Sequence, residues 1–236
     1  MEKVLLHTPE GVRDVYGKEC AVKLTIENSI NKVFNIYGFH NIQTPTFEFF
    51  DIFSKERGSV ASKNLYKFFD REGNTLVLRP DVTPSIARLV AKYYMDVKVP
   101  VKLCYNANTY INNSELQGKL KENTQLGCEL INDDSVEADA EILALVVDSL
   151  KAAGLKEFLV EIGHADFYKG LLEECGFDTE NEQELRKRIE NKNYFGVEEI
   201  LDNNNITGQL KEAFLKLPEL FGSIDVIKSA KELTDN

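Results

Sequence analysis

Apolar residues recur at three-and-four spacing from Lys18 to Tyr37, where Ala21, Leu24, Ile30, Val33, Phe34 and Tyr37 share one face and Gly38 follows. That pattern predicts an amphipathic helix with a glycine stop. Asn41 to Phe53, with Pro45 and several aromatics, reads as an extended segment followed by a turn. Leu65–Phe69 and Thr75–Arg79 read as two strands joined by the polar turn Arg71-Glu72-Gly73-Asn74. Thr83-Pro84 predicts a helix start, with the hydroxyl at N-cap and proline at the first helical position, running on through Ile86, Leu89, Val90 and Tyr93.

Val101–Ala107 and Thr124–Ile131 read as two further strands, separated by the polar loop Asn112 to Glu122. Asp134 with Glu137 has capping-box spacing and opens a helix with Leu143, Val146, Val147 and Leu150 on its apolar face. Phe158–Ile162 reads as a strand. Beyond Asp166 only short amphipathic helical patterns remain, around Leu185 and Ile189, Val197–Leu201, Leu210–Leu217 and Val226–Leu233. Mixed helices and strands with hairpin connections over residues 1–165 predict an α+β domain, and residues 166–236 a small helical segment.

Composition narrows the function. The chain has 236 residues, 43 % hydrophobic and 28 % charged, as in an ordinary globular protein. No apolar run approaches the roughly 20 residues that span a bilayer, and no secretory signal pattern is visible, so the expected place is the cytoplasm with no membrane partner. The net charge of −11 disfavours nucleic acid, whose binding rests on Lys and Arg neutralising phosphates. Cys20, Cys104, Cys128 and Cys175 form no CxxC pair and the three histidines no HxxxH, so no metal site and no disulfide framework is expected. Phosphate-cradling glycine motifs and nucleophile elbows are absent, which removes the usual cofactor and hydrolase readings.

One polar constellation remains. Asp81 and Thr83 follow a strand, and Gln125 and Glu129 sit four apart on another, so the latter two point to one face. Two acids, an amide and a hydroxyl suit a ligand carrying an ammonium or imidazole group. On spacing alone, an ordinary solvated sheet face fits as well.

Several segments together resemble the histidyl branch of the class II aminoacyl-tRNA synthetases. Thr8-Pro9-Glu10-Gly11-Val12-Arg13-Asp14 resembles that family's start, and Thr44-Pro45-Thr46-Phe47-Glu48 its motif 1 region. Tyr66-Lys67-Phe68-Phe69-Asp70-Arg71, with Leu78 to Pro84 after it, resembles the family's hairpin and histidine-contacting loop. Gly118 through Gln125-Leu126-Gly127-Cys128-Glu129-Leu130-Ile131 resembles the strand whose glutamine and glutamate contact the histidine ligand in that family. The resemblance implies an antiparallel sheet flanked by helices, a homodimer through the motif 1-like region, and Asp81, Thr83, Gln125 and Glu129 as histidine-contacting residues.

Two departures bear on activity. Ile111 falls where the family has its ATP-contacting arginine and Asn113 where it has a glutamate, while Lys119, Lys121 and Asn123 replace arginines and a phenylalanine. An isoleucine cannot replace a guanidinium clamping a phosphate. The second histidine-binding segment, the motif 3 arginine and the anticodon-binding domain are not found in the sequence. Arg79-Pro80-Asp81-Val82-Thr83-Pro84, Ile162 to Tyr168, and Leu217-Pro218-Glu219-Leu220-Phe221-Gly222 are similar to the catalytically silent members of this branch, the regulatory subunits of ATP phosphoribosyltransferase. That resemblance implies no catalytic residue and no cofactor. It also implies a short catalytic subunit as partner, in the first step of histidine biosynthesis, with histidine as feedback effector, bound either in the residual pocket or at the joint between subunits. The alternatives are a histidyl-tRNA synthetase fragment or paralogue that still forms an adenylate, and a free-standing amino-acid-binding or dimerising module with a different partner.

Overall fold

A computed structural model of the chain describes residues 6–54, 60–113 and 118–234. They form two compact units, Met1–Val160 and Glu161–Asn236.

In the first unit, helix α1 (Gly17–Ile36) ends where Gly38 takes a left-handed conformation with φ +80°. The Phe39 N–H then donates to Phe34 O at 3.0 Å and the Gly38 N–H to Asn35 O at 3.1 Å. This pair of bonds closes the last turn and swings Phe39 into the core, where it packs with Phe34, Cys104 and Leu145. Strand β1 (His40–Asn41) lies parallel to β5 (Val101–Tyr110), and β5 pairs antiparallel with β6 (Glu122–Ile131). A second sheet is built in the order β2 (Phe47–Phe49), β4 (Thr75–Leu78), β3 (Lys67–Phe69). Short helix α2 (Asp51–Ser54) follows β2. Buried Glu48 on β2 accepts from Arg88 Nη2 at 2.6 Å, which ties that sheet to helix α3 (Thr83–Tyr93).

Side-chain alternation divides the larger sheet. Leu126, Cys128 and Leu130 pack with α1 and with helix α4 (Val136–Ala152), while Leu103, Tyr105 and Ile131 pack with α3. The ten-residue ladder sets Cys104 opposite Cys128, Tyr105 opposite Gly127 and Ala107 opposite Gln125.

Three local expectations are corrected. Val82, not Thr83, is the N-cap of α3, and no side chain caps it; the Thr83 hydroxyl is taken by the Glu129 carboxylate instead. Ser135, not Asp134, caps α4, its Oγ accepting from the Ala138 N–H at 3.2 Å. Asp133 holds that serine from behind, accepting from its N–H at 3.1 Å and its hydroxyl at 2.7 Å. Phe158–Ile162 forms no strand among the described residues. Phe158 and Val160 are half-buried and Leu159 exposed, but Ile162 is exposed too, and among the described residues no neighbouring strand receives its backbone. Of the loop read at Asn112 to Glu122, residues 114–117 lie outside the described residues.

The second unit consists of α5 (Ala165–Cys175), α6 (Thr179–Glu190), α7 (Tyr194–Asn203), α8 (Gly208–Lys216) and α9 (Val226–Lys231). Leu171, Leu185, Val197, Leu201, Ala213 and Phe214 form its core. Side-chain caps open three of these helices: His164 Nδ1 accepts from Phe167 N–H, Asp178 from Asn181 N–H and Asn193 from Gly196 N–H. The role of His164 is thus that of a cap. Among the described residues no helix is long and apolar enough to cross a membrane, and no His/Cys/Asp/Glu cluster suits a metal ion.

Candidate functional site

The site lies on the α3 face of the larger sheet, where β5, β6 and the turn between β4 and α3 converge. Gln125 and Glu129 stand on β6 with Gly127 between them, all three on one face because of the period of two. The β4–α3 turn brings Asp81 and Thr83 to them. Thr83 Oγ1 donates to Glu129 Oε1 at 2.7 Å, the Gln125 amide lies 3.5 Å from Asp81 Oδ1, and the Thr83 N–H lies 3.4 Å from the same oxygen. The four residues singled out from sequence are therefore brought into one cluster.

Arg79 holds the turn in place. It is 6 % exposed, and its Nε donates to Asn108 O at 2.8 Å, while Nη1 donates to Thr44 O at 2.8 Å and Pro45 O at 3.1 Å. One planar group thus joins the end of β4 to β5 and to the segment between β1 and β2. Burial depresses its basicity, with the charge of Glu48 among the opposing influences. A guanidinium suits this place because its donors diverge in one plane toward several acceptors.

Tyr105 and Gly127, which sequence reasoning did not single out, form the floor. A Cβ built on Gly127 would lie 2.5 Å from Tyr105 Cζ, so the ring occupies the space a side chain would fill. Burial above all, with Glu129's charge beside it, pushes the Tyr105 phenol up to about 12, and a hydrogen bond with Thr83 acts the other way. The signal was available: a glycine inside a strand, between two candidate residues on the same face, marks a close approach.

Burial is also the main cause that raises the Glu129 carboxyl. The Thr83 hydrogen bond opposes it and the charge of Asp81 adds to it. A folded-state value above the unfolded one means that the unfolded chain releases its proton first as pH rises. Stability present at low pH is then lost as pH climbs from the unfolded value through the folded one. Glu129→Gln, whose amide oxygen can still accept from Thr83, is therefore expected to unfold at a higher temperature than the wild type at pH 7. The gap should close towards pH 4. Thermal melts across that range check it, and a gap independent of pH would contradict the assignment.

Behind the site, burial foremost pushes Cys128 up to about 11, with Glu129 and Cys104 adding, and burial raises Cys104 as well. At pH 8, Cys128 in the folded chain should alkylate about a hundredfold more slowly than a free thiol with a pKa of about 8.5. Iodoacetamide labelling with peptide mass spectrometry reads this directly.

The sheet, backed by a long helix and entered by a parallel strand, is that of a class II aminoacyl-tRNA synthetase-like core, as the family model and the solved structures that superpose on it show. The model of the histidyl-tRNA synthetase family matches residues 11–236, and the chain belongs to that family. It is 45 % identical over 236 residues to a protein of Ruminiclostridium cellulolyticum named ATP phosphoribosyltransferase regulatory subunit, all of this chain against 56 % of that protein. A protein of the same name from Acetivibrio thermocellus is 42 % identical over 231 residues, 98 % of this chain and 55 % of the relative. Among solved structures, one from Bacillus halodurans, described as an ATP phosphoribosyltransferase regulatory subunit/histidyl-tRNA synthetase, superposes with a TM-score of 0.87 at 35 % identity. It covers 98 % of this chain and 60 % of that one. An apo histidyl-tRNA synthetase of S. aureus matches 64 % of this chain and 40 % of its own, with a TM-score of 0.54 at 28 % identity. The chain thus spans little more than half the length of the curated relatives it matches.

Proposed function

We propose that the chain acts as part of a non-catalytic regulatory subunit of ATP phosphoribosyltransferase. In this reading it supports a short catalytic subunit in the first step of histidine biosynthesis and conveys feedback by histidine, in the cytoplasm. The observation that carries the reading is the 45 % identity, over the whole chain, to a relative bearing that name. Ile111 supports it further. It lies just past the end of β5, its N–H bonded to Lys121 O at 2.9 Å, and puts an aliphatic side chain at the position for which the resemblance implies the synthetases' ATP-contacting arginine. The same substitution speaks against adenylate formation, which an ATP–pyrophosphate exchange assay would detect.

The cluster of Asp81, Thr83, Gln125 and Glu129 supports recognition of a small cation. Glu129 and Asp81 would face the ammonium of histidine, with Thr83 and Gln125 toward its polar edges. Bound cation favours the ionised form of Glu129, so affinity should rise as pH increases through the range where that carboxyl ionises. Calorimetric titration with histidine at several pH values tests the pocket, and no heat at millimolar ligand would leave the effector to the joint between subunits. The regulatory reading itself rests on mixing the chain with the short catalytic subunit. Activity that appears on mixing and falls with histidine is the expected outcome; a catalytic subunit indifferent to the chain would refute it. A homodimer through the segment Thr44–Glu48 and α1 completes the proposal, with no nucleic acid and no membrane partner.

A further inference from the structure

A second cavity, of ≈ 390 Å³, lies among α1, the segment between β1 and β2, and β5. Its size falls in the range of about 300–1,000 Å³ usual for small-ligand pockets. None of Asp81, Thr83, Gln125 and Glu129 lines it. Lys23 and Glu27 reach it from α1, Arg79 from just past β4, and Asn106 and Asn108 from β5.

Hydrogen-bonding capacity is left over at three places in its wall. Main-chain groups alternate between the two sides of a strand, so Asn106 and Asn108 turn theirs to the edge of β5 away from β6. On that edge Cys104 O accepts from the Ile42 N–H at 2.9 Å, Asn108 O accepts from Arg79 Nε at 2.8 Å, and the Tyr110 N–H donates to Arg79 O at 3.0 Å. Between these bonds, the Asn106 and Asn108 N–H groups meet no acceptor among the described residues. Arg79 gives Nε and Nη1 to carbonyl oxygens, while its Nη2 donates to no described residue. Glu27 Oε2 accepts from Asn106 Nδ2 at 2.9 Å. The buried Oε1 of the same carboxylate accepts no hydrogen bond among the described residues, with the Lys23 ammonium 3.3 Å from it. Buried polar atoms left in this way are uncommon in folded proteins.

We propose that this cavity is a binding site for an acidic α-amino acid. One carboxylate takes the donors of Arg79 Nη2 and the β5 edge, the ammonium donates to Glu27 Oε1, and the second carboxylate pairs with Lys23. The charged side chains of the wall, two cations and one carboxylate, are the reverse of the ligand's one cation and two carboxylates. A phosphate group fits less well, because it lacks the ammonium and sets a like charge against Glu27. The site uses neither the Glu129 cluster nor a catalytic subunit, so it stands or falls separately from the proposed regulation.

The test is calorimetric titration of the chain with L-glutamate at pH 7. Saturable binding with a Kd below about 1 mM is expected. L-Glutamine, which lacks the second charge, and glutarate, which lacks the ammonium, should each bind about tenfold more weakly. Glu27→Gln keeps an oxygen for the Asn106 amide and should weaken L-glutamate about tenfold without weakening glutarate. Lys23→Gln, at the exposed end of the same pair, should bring L-glutamate down to the affinity of L-glutamine and leave L-glutamine itself unchanged. This second variant decides the matter if the first fails to fold. Absence of binding at about 10 mM L-glutamate would overturn the proposal, including the case in which a second copy closes the cavity along α1. So would equal affinity for L-glutamate in the wild type and both variants.

Discussion

Replacing Arg79 with methionine is expected to lower the stability of the first unit by about 2–3 kcal/mol, the order found when charge-assisted hydrogen bonds to buried acceptors are removed. The side chain is 6 % exposed and serves Asn108 O, Thr44 O and Pro45 O, three main-chain acceptors from two separate segments. Methionine fills similar volume but leaves those carbonyls short of donors in a place with little access to water. At ~2–4 °C per kcal/mol for a unit of this size, the melting temperature should fall by roughly 5–10 °C. Lysine is expected to rescue little of it, because one ammonium cannot reach the Asn108 and Thr44 carbonyls with the divergence of a planar fork. Denaturant unfolding of the two variants gives the comparison. A lysine variant as stable as the wild type would mean that the charge, and not the fork, fixes the turn carrying Asp81 and Thr83.

The second large effect belongs to Gly127. Its strand partner Tyr105, 5 % exposed, lies where a β-carbon would go, with Cζ at 2.5 Å and Cε1 at 2.9 Å from that position. Tyr105 is packed with Val82, Ile86, Val101 and Leu103, so it cannot retreat without disturbing that cluster. Gly127→Ala should therefore cost about 2–3 kcal/mol, at the upper end of overpacking penalties. It should also weaken any ligand held by Gln125 and Glu129, which flank it. The cost should shrink sharply in a Tyr105→Leu background, where the ring is gone; that coupling separates steric crowding from a general dislike of alanine in the strand. Equal costs in both backgrounds would refute the close-approach account.

Much of this site could be read along the chain, because period-two spacing alone puts Gln125 and Glu129 on one face of β6. Their meeting with Asp81 and Thr83 could not. It depends on the β4–α3 turn reaching across to β6, and therefore on Arg79 fastening that turn to segments some thirty residues away in sequence. The misplaced cap of α3 has the same origin. Thr83 has the local chemistry of an N-cap, but a carboxylate 46 residues away gives its hydroxyl a better partner than the helix end does. At α4 the competition was between neighbours, and Asp133 decided it by fixing Ser135 in extended geometry.

By itself the sequence determined the helices other than α2 and α5, the two central strands, the helical character of the second unit and the family, since all of these rest on local periodicity, end signals or ordered motifs. Only the tertiary structure decided that Tyr105 lies across Gly127, that Arg79 bridges three segments, and that Phe158–Ile162 finds no strand partner among the described residues. The reason is common to the three. A strand's pairing, a ring's resting place and a buried cation's acceptors are properties of residues distant along the chain, and no local pattern records which of them will meet.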